Sequence, residues 1–208
     1  VPDYLSSEEA ATLPCAAVTA WNALFESASV RPGDTVLCLG TGGVSTFALQ
    51  LARMAGAFVI VTSSSERKIG CARELGARGG VNYATTPDWD KAVRELTEGR
   101  GVDHVIEVGG AGTLPRSIRA VRTGGTISLI GVLAQGPDVN LTPVLMRHLR
   151  MNGVFVGSRT MFENLLRAME VRQMRPVIDR VFGFEELPEA LSYMESATHI
   201  GKICLRVR

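Results

Sequence analysis

Aromatic side chains are scarce, at 6% of 208 residues, and charge of neither sign prevails, with 22 basic residues against 21 acidic. Balanced charge with no run of one sign excludes a nucleic-acid-binding surface and the basic face of a membrane-surface helix. The apolar stretches are strand-sized, and none approaches the roughly twenty residues of a spanning helix. The opening Val-Pro-Asp-Tyr-Leu-Ser-Ser-Glu-Glu has neither the basic flank nor the apolar centre of a secretion signal. Four cysteines, Cys15, Cys38, Cys71 and Cys204, show no Cys-x-x-Cys spacing. That usage suits a reducing compartment, so the cytoplasm is expected, and it excludes a self-contained four-cysteine zinc lobe. A Gly-x-Ser-x-Gly elbow and a Walker-type Gly-Lys-Ser/Thr signature are also missing, which removes the hydrolase and nucleotidase readings.

At 46% hydrophobic, the chain can bury one good core, or one domain and part of a second. Its most informative stretch spans residues 35–57: a buried strand, a glycine-rich turn and an amphipathic helix in succession. Gly40 lets the chain turn off the strand, and Gly42 lets the backbone approach a pyrophosphate with no Cβ in the way. The helix opening near Gly43 aims its N–H groups and positive dipole end at the phosphates. Ser45 stands where the Gly-x-Gly-x-x-Gly/Ala pattern wants its third small residue. The flanking strand and helix are the context this dinucleotide motif requires.

Strands and helices alternate along the chain, the pattern of an α/β, doubly wound parallel sheet. A helix is expected at 19–26 ahead of the strand and helix of 35–57; strands follow at 58–62, 80–83, 102–108, 126–132 and 154–157, with helices at 66–75, 88–97 and 114–121 among them. Ser6 or Ser7 caps a first helix. Beyond Arg159 the pattern changes to helix 162–172, strand 177–182, helix 185–195 and strand 202–207. The Met161 to Met174 stretch carries Phe162, Leu165, Leu166 and Met169 at helical spacing, a core-facing stripe. His104 lies inside a strand and reads as a core histidine; His148 and His199 show no metal-site spacing.

The segments Leu13-Pro-Cys-Ala-Ala-Val-Thr-Ala-Trp21, Gly40-Thr-Gly-Gly-Val-Ser45, Thr62-Ser-Ser-Ser-Glu-Arg-Lys68, Glu107-Val-Gly-Gly110, Arg175-Pro-Val-Ile-Asp-Arg180 and Gly201-Lys202 occur in order. Together they resemble the medium-chain dehydrogenase/reductase superfamily, and within it the NAD(P)-dependent, zinc-type alcohol dehydrogenase-like group. Family members begin with a GroES-like catalytic lobe. The resemblance therefore implies a chain that starts after that lobe: a remnant and linker helix over 1–18, a Rossmann domain over 19–160, and over 161–208 a C-terminal α+β strip of an incomplete catalytic domain.

Cofactor choice is argued from charge. NAD sites place an acid about twenty residues beyond the first glycine, where it holds the ribose hydroxyls and would repel a 2′-phosphate. Here the second strand ends in Ser63, Ser64 and Ser65, whose hydroxyls can donate to a phosphate, and Arg67 and Lys68 follow. Glu66 argues the other way, though at a helix start it satisfies the dipole. NADP(H) is expected over NAD(H). The resemblance adds Tyr83, at a position where NADP-using relatives contact the adenosine phosphate. It also implies Val44 in the phosphate turn, Thr19 beside the nicotinamide, Val108, Gly109, Ile130, Gly131 and Val132 at strand ends near that ring, and Lys202 on the pyrophosphate. Cys15 matches the third metal-ligand position of the zinc enzymes; its alternative is a small buried residue at a helix start. Zinc in the intact protein stays open.

The function expected is hydride transfer between NADP(H) and a small alcohol or carbonyl substrate. A zinc-free quinone or enoyl reductase is the alternative within the fold, and a nucleotide-binding module without turnover the alternative outside it; catalytic residues are not assigned. The apolar stretch 153–157 reads as a sheet edge that two copies cover in a homodimer. Absence of the first lobe is expected to leave apolar surface near residues 13–24 and on the terminal strip.

Overall fold

The run Thr-Val-Leu-Cys-Leu is buried at every position and forms β1 (Thr35–Leu39) at the centre of a sheet. Its side chains alternate between two cores: Val36 and Cys38 face one, Leu37 and Leu39 the other. A strand covered on both faces has no polar period, which is why the run is continuously apolar. The structure, a computed structural model, describes residues 1–132, 136 and 138–207.

Around β1 lie β2 (Phe58–Ser63), β3 (Gly79–Asn82), β4 (Val102–Glu107), β5 (Val121–Leu129) and β6 (Arg150–Gly153). All pairs are parallel, in the order β3-β2-β1-β4-β5-β6. The order reverses between β1 and β4, and ligands of such sheets lie at that crevice beyond the strands' carboxyl ends.

The N-terminal helix α1 (Ser7–Ala11) begins with a capping box: Glu9 donates its N–H to Ser6 Oγ at 3.2 Å, and Ser6 donates its own to Glu9 Oε2 at 2.8 Å. A continuous helical run follows, α2 (Val18–Trp21) flanked by the π-helical turns Leu13–Ala17 and Asn22–Glu26. With α3 (Gly43–Met54), it fills one face of the sheet. Leu13, Ala17, Ala20 and Leu24 are buried there, so the apolar surface expected near residues 13–24 does not exist. The other face is filled from α5 (Trp89–Glu95) and α6 (Leu114–Ala120), and α4 (Glu66–Glu74) packs on β2 and β3.

Two strand assignments also need correction. The sixth strand is not 154–157 but Arg150–Gly153, preceded by the short helix α7 (Thr142–Met146). Val156 has φ +50°, a region hostile to a β-branched residue, so the apolar run cannot continue as strand. The fifth strand starts at Val121, which pairs with Val102, and ends at Leu129 rather than at residue 132.

After β6 come α8 (Arg159–Arg172), β7 (Ile178–Gly183), α9 (Leu187–Glu195) and β8 (Lys202–Arg206). Leu165 and Met169 of α8 are wholly buried in the first core, as the stripe required. Strands β7 and β8 form a separate two-stranded parallel sheet, and α9 packs on it. Val181, Leu205 and Val207 are exposed on that strip.

A polar knot ties the sheet's lower edge. Asp103, buried on β4, accepts the Thr35 N–H at 2.7 Å, two bonds from Arg100 at 2.9 and 2.7 Å, and one from Arg122 at 2.5 Å. Burial pushes its carboxyl up, but these donors outweigh it and hold the group well below the usual carboxylate range. His104 is a buried core residue whose Nε2 lies 2.9 Å from Asp34 Oδ2.

Candidate functional site

Gly40 leaves β1 with φ +71°, a left-handed turn that a side chain would strain. Gly42, at the N-cap of α3, has open space where a Cβ would stand, and no side chain caps the helix. The first turn of an α-helix has N–H groups without intrahelical partners, so an uncapped start facing open space fits an anion. Ser45 is buried and donates to Leu39 O at 2.6 Å, tying helix to strand as the third small residue should.

The C-terminal strip seats itself on this turn. Gly201 donates to Thr41 O at 2.9 Å and bridges Gly42, and its own φ is +69°. The stem of Lys202 crosses Gly43 so closely that a Cβ there would meet Lys202 Cδ at 2.6 Å. Lys202 thereby lies beside the helix start, although it is far from it in sequence.

At the tip of β2, Ser63 is buried and accepts the Ser65 N–H at 3.3 Å, and Ser65 accepts the Lys68 N–H at 3.5 Å as the cap of α4. Both hydroxyls act as acceptors there, which leaves their hydrogens to give; Ser64 is exposed. Glu66 is engaged by Asn82, which donates to its Oε1 at 2.9 Å. Arg67 Nη2 donates to Thr198 O at 2.7 Å, and Lys68 Nζ to Ala197 O. Partial burial, with the adjacent Arg67 charge, pulls the Lys68 ammonium below its ordinary value.

Beside Gly40 opens a cavity of about 460 Å³ whose lining includes Gly40, Thr62, Tyr83, Trp89, Val108, Gly109 and Arg116. It lies beyond the carboxyl ends of β1 and β4. Tyr83 is 43% exposed along it.

The cavity wall after β4 is held by Glu107, a wholly buried carboxylate. Its Oε1 accepts from Gly109 N at 2.8 Å, Gly110 N at 3.1 Å and Thr113 Oγ1 at 2.5 Å, and its Oε2 accepts from Ser117 Oγ. Its backbone oxygen takes Ile130 N and Gly131 N at 2.9 and 3.0 Å. Val108, Gly109, Ile130 and Gly131 are thus drawn together. At Gly131 a Cβ would stand 2.1 Å from Val108 O. Val132, by contrast, is 83% exposed. Thr19 is buried on α2 and donates to Cys15 O at 2.8 Å, while Val44 packs on the first core.

Cys15 is exposed, which overturns the reading of it as a small buried residue. No group of three or more His, Cys, Asp or Glu side chains that could hold a metal converges among the described residues. The described side chains therefore do not fit a catalytic zinc, which needs three protein ligands and an open position.

Sequence reasoning missed Glu107 as the anchor of the cavity wall and the contacts of Ala197 and Thr198. The first is legible only as an acid beside two glycines; the second are backbone carbonyls, which no side-chain pattern announces.

A doubly wound sheet with a glycine turn at its switch point, and a terminal strip seated on that turn, defines the cofactor-binding part of a medium-chain dehydrogenase/reductase. The chain belongs to the zinc-binding dehydrogenase family, whose model matches residues 43–170. It is 51% identical to a zinc-type alcohol dehydrogenase-like protein of Schizosaccharomyces pombe over 99% of this chain and 62% of that protein. It superposes on an NAD-dependent alcohol dehydrogenase at TM-score 0.92 with 36% identity, covering 100% of this chain and 63% of that one. A 2-octenoyl-CoA carboxylase reductase solved with NADP and 2-octenoyl-CoA gives TM-score 0.89 at 25% identity, covering 98% and 50%. The chain thus spans less than two thirds of these relatives. The family binds NAD(P). Among the described residues no helix is long and apolar enough to cross a membrane.

Proposed function

We propose that this chain is the nucleotide-binding part of an NADP(H)-dependent oxidoreductase that interconverts alcohols and aldehydes or ketones. The observation that carries the choice of nucleotide is the tip of β2. Its only acid, Glu66, is paired to Asn82, while Arg67 and Lys68 stand beside three serines. A 2′-phosphate there meets two cations and three hydroxyls.

When bound, the dinucleotide supplies a hydride donor or acceptor at its nicotinamide. The chain's own residues do the binding. Gly40, Gly42 and Gly43 let the pyrophosphate reach the start of α3, and Lys202 adds a positive charge from the strip. Val108 and Gly109 on the cavity wall, together with Ile130, Gly131 and Val132 after β5, support the nicotinamide half, with Thr19 and Val44 behind it. Tyr83 borders the adenosine end. Cys15 is an exposed thiol able to join metal ligands from outside the described residues; no step here depends on it. The similarity to a CoA-ester reductase supports a second reading, a zinc-free quinone or enoyl reductase using the same nucleotide site.

We place the protein in the cytoplasm, since its four thiols are free. We also place it in a homodimer across the β6 edge, where Leu145, Met146 and Phe155 are exposed. We expect this stretch alone to bind nucleotide without turnover, since it spans less than two thirds of the relatives it matches.

The test is parallel titration of the 208-residue chain with NADPH and NADH, followed by nucleotide fluorescence, alongside an Arg67→Ala, Lys68→Ala double variant. Tighter NADPH binding, lost in the double variant, is expected. Equal binding of both nucleotides by the wild type and the double variant would overturn the NADP(H) assignment.

A further inference from the structure

The two cations at the tip of β2 are not free in the folded chain. Arg67 and Lys68 each give one hydrogen bond to consecutive carbonyls, Thr198 O and Ala197 O, in the loop between α9 and β8. A guanidinium has five N–H donors and an ammonium three, so one bond each leaves most donors available for a phosphate.

This loop is itself braced. Ala197 sits at φ +51°, which aims the two carbonyls in a way an extended chain would not. Ser196 Oγ lies 2.8 Å from Thr198 Oγ1 and accepts the Thr198 N–H at 3.4 Å. From β7, Asp179 clamps both ends, taking the Tyr193 hydroxyl at 2.6 Å and the Ile200 N–H at 3.0 Å. The next residues along the chain are Gly201, bound to the glycine turn, and Lys202, crossing Gly43. One short strap therefore reaches from the first turn of α4 to the start of α3.

We infer that the Ser196–Ala197–Thr198 loop is a specificity-determining element of the nucleotide site, holding Arg67 and Lys68 in place so that a 2′-phosphate meets prepositioned cations. This inference rests on the NADP(H) reading above. Long basic side chains are costly to immobilise, and a carbonyl that fixes one before the ligand arrives removes part of that cost from binding. The loop contributes chiefly where the cations meet a 2′-phosphate. An NADH ribose offers the cations only neutral hydroxyls in place of a dianionic phosphate, so the loop alters the ratio of the two affinities.

The experiment compares wild type, Ser196→Ala, Ser196→Thr, Ala197→Val and the Arg67→Ala, Lys68→Ala double variant, each titrated with NADPH and NADH. A thermal melt of each reports its fold. Ser196→Ala removes the brace, Ser196→Thr restores its hydroxyl, and Ala197→Val forces a β-branched residue into a positive-φ position. Ser196→Ala and Ala197→Val are expected to weaken NADPH by about tenfold with NADH unchanged, and Ser196→Thr to recover it. If the double variant loses NADPH preference while Ser196→Ala and Ala197→Val keep it, the loop inference is wrong and the NADP(H) reading stands. If the wild type shows no preference to lose, both are wrong. Equal loss of both nucleotides in the loop variants also overturns the inference, since it marks a general structural role.

Discussion

Replacing Glu107 by alanine tests whether the cavity wall is held by one carboxylate. The side chain is wholly buried, and four donors converge on it: the N–H groups of Gly109 and Gly110 and the hydroxyls of Thr113 and Ser117. Thr113 has a second acceptor, Gly110 O at 3.2 Å, so alanine strands the remaining three donors. Each buried donor left without a partner costs about 1–3 kcal/mol, and some readmission of water holds the sum to about 3–5 kcal/mol. For a domain of this size that is a fall in Tm of about 6–20 °C. Glu107→Gln is the control. Its amide oxygen keeps the three donors now on Oε1, and Ser117 can turn its hydroxyl to accept from the amide nitrogen, so the cost is about 1 kcal/mol, the loss of charge assistance. Urea and thermal unfolding of the three proteins decide the matter. An alanine variant within about 1 kcal/mol of wild type, or a glutamine variant as damaged as the alanine one, would refute the donor-count reasoning.

Gly201→Ala should be among the most damaging single-methyl additions, because Gly201 has φ +69° and the new Cβ would lie 2.3 Å from Val177 O. The glycine turn loses its seat, so nucleotide titration should show weakened binding of NADPH and NADH alike, with retained affinity counting against the bridge. Asp103 makes an acid-stability prediction. Its folded-state carboxyl is held below its unfolded value, so its contribution is present above the unfolded value and drains away as pH falls toward the folded one. Wild-type stability, measured by urea titration, should therefore fall below about pH 4, and Asp103→Asn should be weaker at neutral pH with a flatter acid limb. An unchanged acid limb in the variant would contradict the knot.

What was legible in the sequence tracks how completely each segment is buried. β1 and β4 are buried at every residue; β1 declares itself as an apolar run of strand length, whereas β4, Val-Asp-His-Val-Ile-Glu, shows only through its β-branched residues and its place between two helical segments. The glycine turn was legible because backbone that must approach a ligand or bend to positive φ requires glycine. β6 escaped because it is an edge strand, Arg-Met-Asn-Gly, with exposed ends and no apolar signature, while the apolar Val154 and Phe155 beside it drew the assignment. Phe155 is in fact 95% exposed. Helix α7, of five residues, is too short for a helical period to register. At the site, charges were readable but their partners were not. Arg67 and Lys68 could be picked out as cations, whereas the carbonyls that hold them come from a loop distant in sequence, and any residue can supply a carbonyl.

The bridge between Gly42 and Gly201 has a consequence for how the protein is made. The glycine turn leaves the ribosome before most of the six-stranded sheet, while Gly201 and Lys202 follow only after the whole of it. The first helix waits for the same moment, since Glu8 pairs with Arg206 of the last strand at 2.7 Å. A nascent chain can thus complete its sheet and still lack the seat of its phosphate turn. A premature stop after α8 leaves a sheet that folds and a turn with nothing beneath it, so loss of nucleotide binding precedes loss of structure as the chain is shortened from its carboxyl end.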